Sequence, residues 1–366
     1  MKIHPYLSVA VLSLLAACQS PEAPSQPKEP EKPSPNARFE ALRFPDASSD
    51  AGNGQGDFQP PESLSEMMLV EVILDRLGFS SGVIDGKATP FDQFALRGFQ
   101  KAHDLPETGQ MDEATKAALL RWKDVTATRL VSIPAEFAKG PFVPDLPRQN
   151  AAQAKFDHLG YRDLMEALAE RFHTTPDVLK ALNRPDMTPG PGAVIRVPNI
   201  PDADPAQLGE DARGWNRTLM TLGVSPAQPR AAQVVVDKSD GALRAYGEDG
   251  KLIAQFPATM GSEHDPLPIG KWTIQGVARN PDFHYNPKLF WDVSDAAKDH
   301  LLHPGPNNPV GVAWLDLSKE HYGIHGTPEP ASIGKSESHG CVRLTNWDAA
   351  RLAQMVKPGT TALFQE

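Results

Sequence analysis

The 366-residue chain has only two cysteines, Cys18 and Cys341, so at most one disulfide is available and a disulfide framework is excluded. Beyond its first residues it has no apolar run long enough to span a bilayer as a helix. It also lacks clustered positive charge: 36 Lys and Arg against 46 Asp and Glu leave a formal net charge of -10. A phosphate-binding surface shows as excess or grouped cations, so no nucleic-acid partner is expected. Proline, by contrast, is abundant at 36 residues, and with 40% hydrophobic content this predicts a multidomain chain of small units joined by linkers rather than one large core.

The opening "MKIHPYLSVAVLSLLAAC" joins a basic Lys2 to an apolar stretch, Leu7 to Leu15, and to small residues at Ala16 and Ala17, the layout of an export signal. "LAAC" resembles a bacterial lipobox, which implies that Cys18 is acylated and starts the mature protein. Several acyl chains, at about 0.8 kcal/mol per buried CH₂, give durable membrane attachment where one gives a reversible one. Gln19 after the cysteine, in that resemblance, implies the outer membrane of a Gram-negative cell, with the protein in the periplasm. Cys341 is then an unpaired thiol in an oxidising compartment, which points to chemistry. Pro21, Pro24, Pro27, Pro30 and Pro33 follow at a spacing of three, the period of polyproline II, so residues 19–60 are expected to be an extended linker reaching on the order of 120 Å at most.

Residues 61–124 read as three helices. Ser63 and Glu66 suggest a capping box before Val70, Ile73, Leu74 and Leu77, with Gly78 as the stop. Thr89, Pro90 and Asp92 open a second helix that carries Phe94, Phe99 and Gln100. A third begins near Asp112, with Ala114, Ala117 and Leu120 as its apolar positions. The "DG" turn at Asp85 and Gly86, the capped Thr89 and the Phe99-Gln100 pair resemble the small peptidoglycan-binding domain. After an expected linker at 125–152, residues 153–200 suggest helices at Leu164 to Phe172 and Pro176 to Leu182, capped by Thr175, and a strand at Val194 to Val197. This order resembles a small α+β LysM module, which implies binding to N-acetylglucosamine-containing glycans; its usual opening "GDTL" is replaced by "GYRDL". A third linker is expected at 201–230.

From residue 231 to 366 the segments are short, β-rich and separated by turns such as "SDG" and "EDG", with a helix near Trp347 to Met355 and a last strand at Thr361 to Phe364. This part holds His321, His325, His339 and Cys341. Three chemistries fit such a cluster. Cys341 is a buried structural thiol; or the four residues ligate zinc; or an imidazole takes the proton of a nucleophilic thiol, with Gly340 letting the backbone approach a carbonyl and turn N–H groups holding the oxyanion.

The stretch "IHGT…SHGCVRLTNWDA", with "PIGKW" upstream where Leu267 occupies a place often held by Thr, resembles the L,D-transpeptidase (YkuD-domain) family over residues 231–366. The resemblance implies a predominantly β catalytic domain, Cys341 as nucleophile, and His325 as base oriented by the Gly326 carbonyl. It implies oxyanion N–H groups from His339, Gly340 and Cys341, and neither metal nor organic cofactor. Arg343 either holds a substrate carboxylate or pairs with Asp348. Ser338, Tyr285, Trp291 and Asn308 are further substrate-binding candidates, because the aromatic, Pro- and Asn-rich segment between the strands and the motif reads as a groove wall. The implied reaction passes through a thioester on a peptidoglycan tetrapeptide stem with release of D-alanine. Its acceptor is a stem amine giving 3-3 cross-links, a lysine of a wall-anchored lipoprotein, or water, the last making the enzyme a carboxypeptidase or endopeptidase. A non-catalytic outer-membrane-to-wall tether is the alternative without chemistry.

Overall fold

The computed structural model describes residues 36–48, 50, 55–287 and 298–366; the expected export signal, Cys18, the proline-spaced segment and Trp291 lie outside them. Three helices, α1 (Ser65–Arg76), α2 (Pro90–Ala102) and α3 (Glu113–Leu119), fall where the periodicity puts them. Thr89 N–H donates to Asp92 Oδ2 at 2.7 Å, which anchors the start of α2. The Ser63–Glu66 start is corrected. A 3₁₀ turn, Glu62–Leu64, runs straight into α1, so the residue at its N-cap, Leu64, already has helical φ and ψ of -87° and -15° and makes no side-chain cap. On α3 the buried positions are Thr115 and Leu119, while Leu120 is 64% exposed. Buried Gln100 explains this choice: its Nε2 donates to Thr115 Oγ1 (2.8 Å), Thr108 Oγ1 and the Gln110 carbonyl (both 3.0 Å), which pins that face of α3 to α2.

The segment at 125–152 is folded rather than a linker. Strand β1 (Thr128–Ser132) pairs antiparallel with β2 (Val194–Pro198), joining Thr128 to Pro198, and buries Val131. Between them lie the single turns α4 (Ala135–Ala138) and α5 (Asn150–Gln153), then α6 (Leu164–Arg171) and α7 (Pro176–Leu182), whose caps Asp163 and Thr175 each accept an N–H of the first turn. The expected linker at 201–230 likewise contains α8 (Trp215–Leu222), bounded by left-handed Gly214 and Gly223, with Trp215, Leu219, Met220 and Leu222 buried. Residues before 60 also join the core, through Phe39, Leu42 and Phe44.

The C-terminal part builds a nine-stranded sheet from β3 (Gln233–Asp237), β4 (Ala242–Tyr246), β5 (Leu252–Pro257), β6 (Thr259–Met260), β7 (Gly270–Arg279), β10 (Ala313–Leu317), β11 (Gly323–His325), β12 (Val342–Arg343) and β13 (Thr361–Gln365). Its order, β5-β4-β3-β13-β7-β10-β11-β12-β6, begins and ends on strands separated only by Ala258, so the sheet curls until its two ends meet in sequence. A two-stranded ribbon, β8 (Phe283–Tyr285) with β9 (His300–Leu302), stands beside it, and α9 (Asn346–Met355) packs against β10 and β11.

Residues 35–366 form one compact unit with a continuous core running from Phe39 to Phe364, against the expectation of separate small cores. Helix α1 shows why: Val70, Ile73 and Leu74 face the three-helix cluster, whereas Met68 and Val72 enter the main core. The same helix carries Asp75, 2% exposed, which receives both Nη groups of Arg351 on α9, at 3.0 and 2.7 Å. His173, at the end of α6, places Nδ1 3.1 Å from the Asp75 carboxylate and Nε2 2.9 Å from the Leu222 carbonyl, and its ring stacks on Trp347. At the sheet margin, Ser80 N–H donates to the Gln255 carbonyl (3.0 Å), Gln255 N–H donates to Gly78 (2.9 Å), and Gln255 Nε2 donates to Phe94 (2.7 Å). The helical module is thereby hydrogen-bonded to β5.

Candidate active site

Pairing at the sheet's inner strands gathers the predicted chemistry. β11 and β12 are parallel, with Ile324 opposite Val342 and His325 opposite Arg343. Side chains alternate along a strand, so His325 and Arg343 share one face, and Cys341, two residues before Arg343, continues that face. On the other side β10 is antiparallel to β11 with Trp314 opposite His325, and the two rings stack at 5.4 Å. Gly323 makes room for this: a Cβ there would come within 2.4 Å of the Trp314 ring. Gly340 has φ of 88°, and a Cβ on it would come within 2.5 Å of Tyr322 Cε1, so the turn that delivers Cys341 needs glycine on both conformational and steric grounds.

His325 is 5% exposed and donates from Nδ1 to the Gly326 carbonyl at 2.7 Å, which leaves Nε2 as the unprotonated nitrogen. Burial, reinforced by the charge of Arg343, pushes its pKa down to about 3. Burial pushes the Cys341 thiol up; the Gly323 N–H and Arg343 draw it down and Asp265 adds to the rise. Both groups are therefore neutral at rest. The Cys341 Sγ faces the His321 carbonyl at 3.9 Å, and His321 itself takes a positive φ of 67°. A groove of about 730 Å³ opens over these residues, walled by Tyr285, Trp314, Tyr322 and His339 and charged by Asp265, Lys319, Glu320 and Arg343.

Not every candidate faces this groove as a free group. Arg343 lines it and donates Nη1 to the Glu337 carbonyl at 3.3 Å. The alternative pairing of Arg343 with Asp348 does not occur, because Asp348 is fully buried at the start of α9 and is held by Ser80 Oγ (2.9 Å) and Arg351 (3.4 Å). The Ser338 hydroxyl accepts from Gly261 N–H and donates to the Cys341 carbonyl, both at 2.6 Å, so it positions the Cys341 backbone. Asn308, fully buried, spends its amide on the Leu302 and His303 carbonyls and the Val310 N–H, and shapes the loop before β10. His321, His325, His339 and Cys341 are not drawn together as ligands; among the described residues no three His, Cys, Asp or Glu side chains form such a group.

Trp314, Tyr322 and Asp265 are site residues that the sequence reading did not single out. The two glycines facing Trp314 and Tyr322, in "HYGIHG" and "SHGC", were the available signal, since a glycine beside a nucleophile marks a close approach. A further residue of this kind is Asn346, fully buried, whose Oδ1 accepts from Val312 N–H (3.1 Å) and lies 2.2 Å from where a Gly326 Cβ would be. It therefore braces the peptide whose carbonyl orients His325. Its Nδ2 donates to Glu170 on α6 at 2.8 Å, and burial holds the Glu170 carboxyl at a pKa of about 7.

The chain is similar to known proteins over this region. The family profile described as "L,D-transpeptidase catalytic domain" (YkuD) matches residues 231–363, and that described as "Putative peptidoglycan binding domain" matches residues 63–119. The chain is 32% identical over 144 residues to a protein of Bacillus licheniformis named "Putative L,D-transpeptidase YkuD", covering 39% of this chain and 72% of the relative. It is 58% identical over 112 residues to the protein of the same name in Bacillus subtilis, covering 31% and 53%. An L,D-transpeptidase structure from Mycobacterium smegmatis is similar over 37% of this chain and 58% of its own, at 23% identity and a TM-score of 0.31. With this likeness, and with Cys341, His325 and Arg343 gathered on one sheet face, this chain belongs to the L,D-transpeptidase family.

Proposed function

We propose that the protein is a cysteine-dependent L,D-transpeptidase that acts on peptidoglycan tetrapeptide stems. The observation that carries this reading is the placement of Cys341, His325 and Arg343 on one face of paired strands, with the Gly326 carbonyl fixing the imidazole so that Nε2 is free to take a proton. In the first half-reaction the Cys341 S–H gives its proton to Nε2 as sulfur attacks the carbonyl of the third, diamino-acid residue. N–H groups of His339, Gly340 and Cys341 receive the developing oxyanion, and Arg343 holds a substrate carboxylate. The C–N bond to D-alanine then breaks, the amine leaves with the proton from His325, and a thioester remains. In the second half-reaction an amine displaces the sulfur and forms a 3-3 cross-link, or an attachment when the amine belongs to a wall-anchored lipoprotein. Tyr285 supplies part of the groove wall.

The helical module at 63–119 serves as a peptidoglycan-binding domain. The strand-helix-helix-strand order of β1, α6, α7 and β2, with its end strands paired, supports a LysM-like glycan-binding module. Acylation of Cys18 anchors the chain in the outer membrane of a Gram-negative cell, facing the periplasm, with the proline-spaced segment as its spacer. Loss of palmitate labelling in Cys18→Ala tests the anchor.

Purified full-length protein incubated with disaccharide-tetrapeptide tests the enzyme. Mass spectrometry is expected to show a covalent adduct lighter than the substrate by D-alanine, free D-alanine and 3-3 linked dimers, all absent in Cys341→Ser. Folded wild-type protein that binds the substrate but forms no adduct refutes the reading and leaves only a tether. Hydrolysed tripeptide in place of dimers makes it a carboxypeptidase.

A further inference from the structure

Asp265 lies in the turn between β6 and β7 and faces the groove alongside Cys341, Tyr322 and Arg343. Its place relative to the nucleophile is fixed through backbone. Within the turn, Asp265 N–H donates to Ser262 Oγ (3.0 Å) and its carbonyl accepts from Ser262 N–H (2.9 Å). Gly261, at φ of 57° and with no space for a Cβ against Leu267 N, closes the turn and ties it to Ser338 in both directions, donating its N–H to the hydroxyl (2.6 Å) and accepting the Ser338 N–H (3.2 Å). That same hydroxyl donates to the Cys341 carbonyl. Two hydrogen-bonded steps thus connect the carboxylate's turn to the sulfur-bearing residue.

The Asp265 side chain is half-buried at the margin of the groove. Its Oδ2 is shielded from solvent and has no hydrogen-bond partner among the described residues, and a buried acceptor without a donor costs about 1–3 kcal/mol. Its negative charge also opposes thiolate formation at Cys341. That cost belongs to the first half-reaction alone, because the sulfur of a thioester carries no charge. What persists after acylation is an attraction for a cation. Arg343, of opposite sign, lines the same groove and suits an anionic group of the donor.

We propose that Asp265 binds the ammonium group of the incoming acyl acceptor and so directs the thioester toward an amine rather than water. This rests on the thioester chemistry above and adds to it the side chain that holds the acceptor amine, which arrives as its cation. The acceptor R–NH₃⁺ loses one proton to solvent, and its nitrogen lone pair forms the C–N bond at the thioester carbonyl. The C–S bond breaks, and the sulfur departs with the electron pair and regains a proton that passes from nitrogen through His325. Thioester and ammonium become amide, thiol and one released proton.

Full-length protein is given a tetrapeptide stem as donor and a tripeptide stem with a free side-chain ammonium as acceptor, and the ratio of cross-linked to hydrolysed product is read by mass spectrometry. In Asp265→Asn this ratio is expected to fall roughly ten- to a hundredfold, the loss of a charge-assisted hydrogen bond. D-alanine release becomes faster near neutral pH because the opposing charge is gone. Asp265→Glu recovers part of the ratio. An unchanged ratio in Asp265→Asn overturns the assignment, and so does a parallel loss of D-alanine release and of both products, which marks a structural or donor-side effect. Wild-type protein that never acylates overturns the thioester reading itself, and this inference with it.

Discussion

The protonation states at the centre of the groove lead to a direct kinetic test. Burial and Arg343 push the His325 pKa down to about 3, and burial lifts the Cys341 thiol above its ordinary range, so both shifts act in the direction that keeps the two groups neutral. The resting pair is therefore thiol and neutral imidazole rather than thiolate and imidazolium. A thiol of this kind transfers its proton to Nε2 only as the carbonyl is attacked. The perturbation is pH, and the assay is the rate of Cys341 alkylation by iodoacetamide, followed by mass spectrometry in the Cys18→Ala background. Between pH 6 and 8.5 the rate is expected to rise about tenfold per unit without levelling, as it does for an unactivated thiol. His325→Ala is expected to change that alkylation by less than about threefold, because no ion pair is lost, while it removes thioester formation from the stem peptide. A plateau with an inflection between pH 5 and 7, or a collapse of alkylation in His325→Ala, refutes the neutral pair.

Trp314→Ala removes the ring stacked on His325 and opens its cover to water; kcat/KM is expected to fall about ten- to a hundredfold, and the imidazole pKa, followed by NMR, to rise from about 3 toward the ordinary 6.5. Arg351→Met leaves Asp75 buried without its bidentate partner, which costs about 3–5 kcal/mol; over a unit of this size that lowers Tm by about 5 °C, and an unchanged Tm contradicts the role given to the pair. Stability should also fall as pH rises from 6.5 to 8. Glu71, Glu170 and Asp348 have folded pKa values of about 8, 7 and 7, all raised chiefly by burial. In this window the folded state holds protons that the unfolded state has already lost, and each retained proton contributes a slope of about 1.4 kcal/mol per pH unit. Urea midpoints that stay level or rise across that window run against it.

What the sequence made legible was local. The Thr89–Asp92 start of α2, the stop at Gly78, the capped α7 and the "SHGC" turn each declare themselves within a few residues, by side chains that bond their own backbone or by glycines that nothing else can replace. The linkers were misread where the signal was distant. Thr128–Ser132 is a strand because Val194–Pro198 pairs with it, and a partner that distant in the chain gives no local signal. Trp215–Leu222 carries a helical apolar face between two glycines, but at eight residues its stability comes from the core it enters. Spacing alone puts Leu120 on the apolar face of α3, whereas the amide of Gln100 selects the neighbouring face. In the site, the motif is enough to single out Cys341 and His325, which the paired strands β11 and β12 bring to one face. Trp314, Tyr322, Asp265 and Asn346 acquire their roles from strand register and turn closure, which bring together residues far apart in the chain.

The junction between the helical module and β5 has a practical consequence. Gln255 exchanges backbone hydrogen bonds with Gly78 and Ser80, so the outer strand of the curled sheet has a partner along part of its length. A fragment trimmed to residues 231–366 strips that partner away and leaves unpaired N–H and C=O groups on a strand flanked by buried Ala254 and Phe256, a ready template for self-association. The N-terminal module acts as an edge guard against aggregation, and catalysis is best measured on protein that retains it.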